Sequence, residues 1–213
     1  MDHLDVAAEA LRGTFPGCED APLAMTLLRL LAEGRRVTTA ALAGAAGRPQ
    51  EAVVRQLARW PNVERDGELA VVGFSGLTLG ETAHSFEVGG RRLHTWCAWD
   101  TLFLPALLDA SARVRSTCPV TGTGVELVVS PECVERAEPE PLYLSFPPVT
   151  ATDIADITGS FCCQVHFLAG SDAARAWRGA HPDGEVLDLT AAFALGCAAV
   201  APFAAASGGK ECC

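Results

Sequence analysis

Two cysteine-bearing stretches hold the side chains of this chain best suited to chemistry. The first, His94-Thr95-Trp96-Cys97-Ala98-Trp99-Asp100, sets a thiol three positions ahead of a carboxylate and continues as the apolar residues 101–108. A helix beginning near Trp96 is expected, with Cys97 and Asp100 on one face. A free thiol titrates near 8.5, so only a few per cent is thiolate at neutral pH. A helix N-terminus would lower that value for Cys97, and the adjacent carboxylate could accept and return its proton. The plainer alternative makes Cys97 a small core residue and Asp100 a solvated acid at a helix start.

The second stretch is Ser160-Phe161-Cys162-Cys163-Gln164-Val165-His166-Phe167. Read as a strand, it puts Phe161, Cys163, Val165 and Phe167 on an apolar core face, and Cys162, Gln164 and His166 on the other. That alternation nominates Cys162 over Cys163 as the exposed thiol. Two thiols and one carboxylate make a poor hydrolase set, because a Cys–His hydrolase needs a histidine base held by a third group. The nearby histidines are His94, on the preceding strand, and His166. Thiolates select soft metals, and a soft, two-coordinate ion suits Cys97, Cys162 and Asp100 better.

The elements that must bring these residues together can be traced along the chain. Asp2 can cap a short helix over residues 3–12, and Asp20 with Pro22 opens a helix carrying Leu23, Leu27, Leu28, Leu30 and Leu31. Thr38 or Thr39 caps a short helix ended by Gly47, and Pro49 opens a third with Val53, Val54, Leu57 and Trp60. An Asp66-Gly67 turn leads into a strand over residues 69–74, which completes the outline of a winged helix-turn-helix. Beyond Gly76, strands over residues 82–88 and 91–95 joined by Gly89-Gly90 read as a hairpin. Further strands follow at 112–118, 125–130, 142–146, 161–168 and 186–189, with helical turns at 152–157 and 172–178 and a last helix capped by Thr190. Strands outnumber helices without a βαβ rhythm. The fold class is therefore α+β, a winged-helix-like helical module packed on a core of antiparallel or mixed strands. The expected division is 1–75 for the module, 76–207 for the core and 208–213 for a flexible Cys-Cys tail.

Charge and composition exclude several functions. The 213 residues carry a net charge of −10, which argues against a duplex-binding surface. Between Asp20 and Phe74, seven arginines (29, 35, 36, 48, 55, 59 and 65) face six acids (Asp20, Glu33, Glu51, Glu64, Asp66 and Glu68). That balance gives little counterion-release drive, so the module is expected to pack and not to bind nucleic acid. The nine cysteines are irregularly spaced and contain no CxxC pair, which supports neither a zinc ribbon nor a thioredoxin-type site. The acidic opening Met1-Asp2-His3-Leu4-Asp5 does not read as a secretory leader, and residues 191–206 are short for a membrane span and broken by Gly196 and Pro202. A soluble cytoplasmic protein with no membrane partner is expected.

On these residues the sequence resembles the bacterial organomercurial lyases, or alkylmercury lyases. The resembling segments are Gly76-Leu77-Thr78-Leu79 with Glu81-Thr82, Arg92-Leu93, Trp96-Cys97-Ala98 with Asp100-Thr101-Leu102, and Pro105-Ala106-Leu107. Ala112-Arg113-Val114, Cys118, Val129-Ser130-Pro131, and Ser160-Phe161-Cys162-Cys163 with Val165-His166-Phe167 extend the likeness over most of the chain from Gly76 onward. The resemblance implies that Cys97, Asp100 and Cys162 carry the chemistry, that Cys118 is structural, and that the winged helix does not act on DNA. It further implies protonolysis of a carbon–mercury bond, giving a hydrocarbon and Hg²⁺ held by Cys97, Cys162 and Asp100, with no cofactor required. Low-molecular-weight thiols and mercuric reductase are the partners that would take the ion. The chain departs from the family pattern at His94, where tyrosine is the expectation, and at Gln164, where histidine is common.

Two readings from other classes stand beside this one. A thiol-based metal-sensing winged-helix regulator without catalysis would bind duplex in a salt-dependent way. A structural zinc domain on Cys162, Cys163 and His166 has poor ligand spacing, since adjacent strand residues diverge. The terminal Cys212 and Cys213, after Gly208-Gly209, could relay Hg²⁺ onward or be incidental thiols on a frayed end.

Overall fold

The computed structural model describes residues 13, 15–17, 19–148 and 152–207. The expected helix over 3–12 and the 208–213 tail lie outside the described residues. Three helices come first: α1 (Ala21–Ala32), α2 (Thr39–Ala46) and α3 (Gln50–Leu57). Thr38 caps α2 by accepting the Ala41 amide at 3.1 Å, and Gly47 closes it with φ of 61°, a left-handed conformation glycine adopts without penalty. Trp60 falls beyond α3, contrary to the expectation, because Pro61 follows it and a residue before proline is pushed out of the helical region. Freed from the helix, the Trp60 indole donates to Asp20 at 2.7 Å and stacks on Phe74 with ring centroids 5.4 Å apart. Asp20 therefore ties α1 to Trp60 and does not cap its own helix with its side chain.

Two sheets follow. The larger contains β1 (Val63–Arg65), β2 (Val71–Phe74), β3 (Leu77–Thr78), β4 (His84–Val88), β5 (Arg91–Thr95), β6 (Ala112–Thr117), β7 (Gly124–Val129) and β8 (Val134–Glu138). Its strand order is β1-β2-β3-β5-β4-β6-β7-β8, with every pairing antiparallel. The wing hairpin β1–β2 is thus the edge of the same sheet that supports the rest of the chain. The smaller sheet has the order β10-β9-β11, from β9 (Leu142–Phe146), β10 (Phe167–Ala169) and β11 (Glu185–Asp188). Gly89 and Gly90 make the β4–β5 turn with φ of 56° and 72°, the two left-handed residues that a tight two-residue hairpin needs. Strands β3 and β8 have no counterpart in the sequence reading. Strand β3 has only two residues, and β8 (VERAE) carries three exposed charges with little apolar signal.

Helices α4 (Asp100–Leu108), α5 (Ile157–Ser160), α6 (Ser171–Ala180) and α7 (Leu189–Ser207) complete the described chain. Helix α7 starts earlier than expected, with Asp188 accepting the Ala191 amide at 2.8 Å, and it runs through both Gly196 and Pro202. Gly196 is where α7 crosses the start of α4: a Cβ there would lie 3.0 Å from the Trp99 indole nitrogen. Trp99 is fully buried and donates to the Ala192 carbonyl at 2.8 Å. One apolar cluster joins α1, α4, α7 and the inward faces of both sheets, so the start of α4 sits at the centre of the core. A Gly196→Leu substitution should force α7 away from Trp99 and lower thermal stability by about 1–3 kcal/mol, read as a drop in melting midpoint.

Candidate active site

The chain around Cys97 is held by bonds to its neighbours and not by helix. The Trp96 amide donates to the Gly76 carbonyl at 2.9 Å and the Ala98 amide to Val165 at 3.2 Å. The buried Thr95 hydroxyl donates to the Cys97 carbonyl at 2.8 Å. These bonds keep residues 96–99 out of the helical ladder, so α4 begins at Asp100 and not near Trp96 as expected. Cys97 and Asp100 still meet. The Asp100 carboxylate turns back to accept the Cys97 amide at 2.8 Å, a reach from the first turn to a residue three earlier that resembles the acidic half of a capping box.

The second thiol arrives by a different route from the expected strand. Residues 162–164 form a single 3-10 turn, closed by the Val165 amide on the Cys162 carbonyl at 3.1 Å, and β10 starts only at Phe167. Period-two alternation therefore does not apply to this segment. Phe161, Val165 and Phe167 do enter the core, but the two thiols are exchanged: Cys162 is buried and Cys163 exposed. Cys163 Sγ donates to the Gly159 carbonyl at 3.0 Å, at the surface. Neither of the two bonds that bring Val165 to Ala98 and Cys162 into a turn leaves a local sequence signal.

The result is a compact donor set. The sulfurs of Cys97 and Cys162 and a carboxylate oxygen of Asp100 all lie within 4.8 Å of one another. Among the described residues this is the single group of three or more potential metal ligands of these types. The zinc alternative built on Cys162, Cys163 and His166 is not assembled. All six described cysteines are free thiols. Relative exposures of 1% for Cys97, 4% for Asp100 and 5% for Cys162 place the set in a dry, low-dielectric setting, where charge is costly unless paired.

That setting fixes the protonation states. Burial raises the Asp100 carboxyl to about 7, against hydrogen bonds from the Cys97 thiol and amide that pull it down. Burial also pushes the Cys97 thiol well above the ordinary range, helped by the Cys162 contact and the Asp100 charge. The expected lowering by a helix N-terminus is overturned, because desolvation of a buried thiolate outweighs it. For Cys162, the hydrogen bond from Cys97 favours the thiolate, yet burial together with Asp100 and Cys163 leaves it net raised. The resting site is two thiols beside an acid poised near neutrality.

A family model described as alkylmercury lyase matches residues 77–201, and one described as the helix-turn-helix domain of alkylmercury lyase matches residues 5–75. The chain belongs to the alkylmercury lyase family. The alkylmercury lyase of Pseudomonas putida is 46% identical over 178 residues, spanning 84% of this chain and 82% of that one. The alkylmercury lyase of Streptomyces lividans is 45% identical over 170 residues, spanning 80% and 78%. A crystal structure of the mercury-bound form of MerB2 superposes with a TM-score of 0.76 at 28% identity, covering 95% of this chain and 98% of that one. The N-terminal helices thus match the helix-turn-helix that goes with the lyase, which does not favour the regulator reading.

The remaining sequence candidates of this alkylmercury lyase family member sit outside the donor set. His94, on β5, accepts the Thr82 amide at 3.2 Å. His84, an inward residue of β4 that the sequence reading passed over, pairs with Ser116 Oγ at 2.8 Å, and burial with the charges of His166 and His94 lowers it to about 4. It is a neutral core histidine at physiological pH. Cys212 and Cys213 lie outside the described residues. Gly76 and Thr95 are the neighbours of the set that the sequence reading did not single out. Ser75-Gly76, a two-residue turn between strands, is the signal that could have found the first.

Proposed function

We propose that Cys97, Cys162 and Asp100 perform the carbon–mercury protonolysis of the family on this chain. The observation that carries the reading is two buried free thiols and a near-neutral carboxyl within 4.8 Å of one another. A mercurial R–Hg–SR′ exchanges its thiolate for Cys97: the Hg–SR′ bond breaks, the Cys97 S–Hg bond forms, and the Cys97 proton leaves with the thiolate as R′SH. Binding to mercury overcomes the raised thiol pKa, because a coordinating thiol is deprotonated outright. Cys162 then passes its proton to the Asp100 carboxylate and adds to mercury as a second sulfur. Donation from two sulfurs makes the carbon more basic, and Asp100 delivers its proton there. R–H leaves, and Asp100 is again a carboxylate beside a bis-thiolate Hg²⁺.

The products balance without any other cofactor. Low-molecular-weight thiols then remove the ion and pass it to mercuric reductase, and the free state of the described cysteines suits a reducing, cytoplasmic setting. Among the described residues no helix is long and apolar enough to cross a membrane. The described residues of the N-terminal module pack into the same apolar cluster as the rest of the chain, and the module does not bind nucleic acid. Near-complete burial of the sulfurs means that substrate enters only when their cover moves, and that proton transfer to carbon takes place away from bulk water. The test is direct. Purified protein given phenylmercury and excess thiol should release benzene in proportion to mercurial consumed. Mercurial binding with no benzene would leave a binding protein and end the catalytic reading.

A further inference from the structure

Gly76 lies in the two-residue turn that joins β2 to β3, where Phe74 pairs with Leu77. Ser75 and Gly76 have φ of 50° and 90°, a turn of the same kind as Gly89-Gly90. By turn chemistry alone, a glycine at the second position needs no further reason. The surroundings of the two glycines differ sharply. A Cβ on Gly90 would meet nothing within 4 Å, whereas one on Gly76 would sit 2.6 Å from both Cγ and Oδ1 of Asp100 and 2.9 Å from its Cβ. These atoms are the root of the side chain and one oxygen of its carboxyl; the other oxygen, Oδ2, accepts the Cys97 amide. The Gly76 carbonyl also accepts the Trp96 amide at 2.9 Å, which locks the turn against the segment carrying Cys97.

We propose that Gly76 is a positioning residue for the lyase reaction, its bare Cα setting where the Asp100 carboxyl stands relative to the two sulfurs. Asp100 cannot retreat by moving its backbone, because it begins α4 between Trp99 and Thr101, both fully buried. A methyl at Gly76 must therefore turn the carboxyl away from Cys97 and break the Oδ2 bond. The three atoms nearest that methyl all belong to Asp100 and none to either thiol. Mercury capture, which needs the sulfurs, is separated from proton delivery, which needs the carboxyl.

The inference rests on the proposal that Asp100 is the proton donor, and the experiment keeps the two apart. Gly76→Ala, Gly90→Ala and Asp100→Asn are compared for stoichiometric capture of phenylmercury and for single-turnover benzene release. Gly90→Ala also places alanine at positive φ, 72° against 90° at Gly76, but in open space, and it should cleave like the parent chain. In the presence of competing thiol, Gly76→Ala should capture phenylmercury as the parent chain does and release benzene roughly 100-fold more slowly, the scale of an ångström-level misplacement at a reacting group. Cleavage by Gly76→Ala within a few-fold of Gly90→Ala would overturn the inference. Wild-type cleavage by Asp100→Asn would instead remove the donor role on which it stands. Should Gly76→Ala fail to fold, the Asp100→Gly background decides. Recovery of folded protein there supports the contact, and continued failure reduces Gly76 to a turn residue.

Discussion

Cys97→Ser and Cys162→Ser should each lower carbon–mercury cleavage at least about 10³-fold, while Cys163→Ser stays within about twofold of the parent chain. The two outcomes differ although Cys162 and Cys163 are adjacent, because the 3-10 turn sends one sulfur inward to Cys97 and the other to the Gly159 carbonyl at the surface. A serine oxygen is a hard ligand and leaves one soft donor where the reaction needs two. Removing either sulfur stops the sequence before the carbon becomes basic, so the double variant should be little worse than either single one. At position 163 a serine hydroxyl can still donate to Gly159. Cleavage is read by hydrocarbon release and folding by thermal melting, since a buried hydroxyl lacking a partner costs about 1–3 kcal/mol. If Cys163→Ser lost cleavage and Cys162→Ser kept it, the assignment of the second sulfur would be reversed.

That adjacent pair also marks where sequence reasoning fails. Tight turns and caps are local, and Gly89-Gly90, Thr38 and Gly47 were legible because each acts within a few residues of itself. Alternation over residues 161–168 imitates a strand because Phe161, Val165 and Phe167 are core residues on either side of a turn. The turn depends on long-range partners such as the Ser145 hydroxyl, which donates to the Gln164 carbonyl at 2.8 Å. Family likeness as well as the pleat points to Cys162 in the sequence, but alternation makes Cys162 the exposed thiol, whereas the structure buries it and exposes Cys163. The charge state of Cys97 failed for a related reason. A helix start is visible in sequence, but the burial that outweighs it is a property of the assembled core.

Asp100→Asn should bind organomercurials as the parent chain does and release hydrocarbon roughly 10²–10⁴-fold more slowly, a loss of about 3–5 kcal/mol of transition-state stabilisation. Asparagine keeps the shape and an oxygen for the Cys97 amide, but it can neither take a thiol proton nor give one to carbon. The pH dependence follows from the raised carboxyl. The productive cycle starts with Asp100 ionised and ready to accept the Cys162 proton. Cleavage by the parent chain should therefore fall as pH drops below about 7, and the residual activity of the asparagine variant should lack that limb. Stability runs in the opposite direction. An unfolded Asp100 ionises near 3.8 and the folded one near 7, so across this window the folded state holds the extra proton and loses stability as pH rises. The contribution approaches about 4 kcal/mol once both forms are ionised. The asparagine variant, neutral throughout, should show a flatter melting profile and gain on the parent chain above pH 7. An unchanged cleavage rate, or a parent melting curve indifferent to pH between 4 and 7, would mean that Asp100 is not the poised acid that this geometry requires.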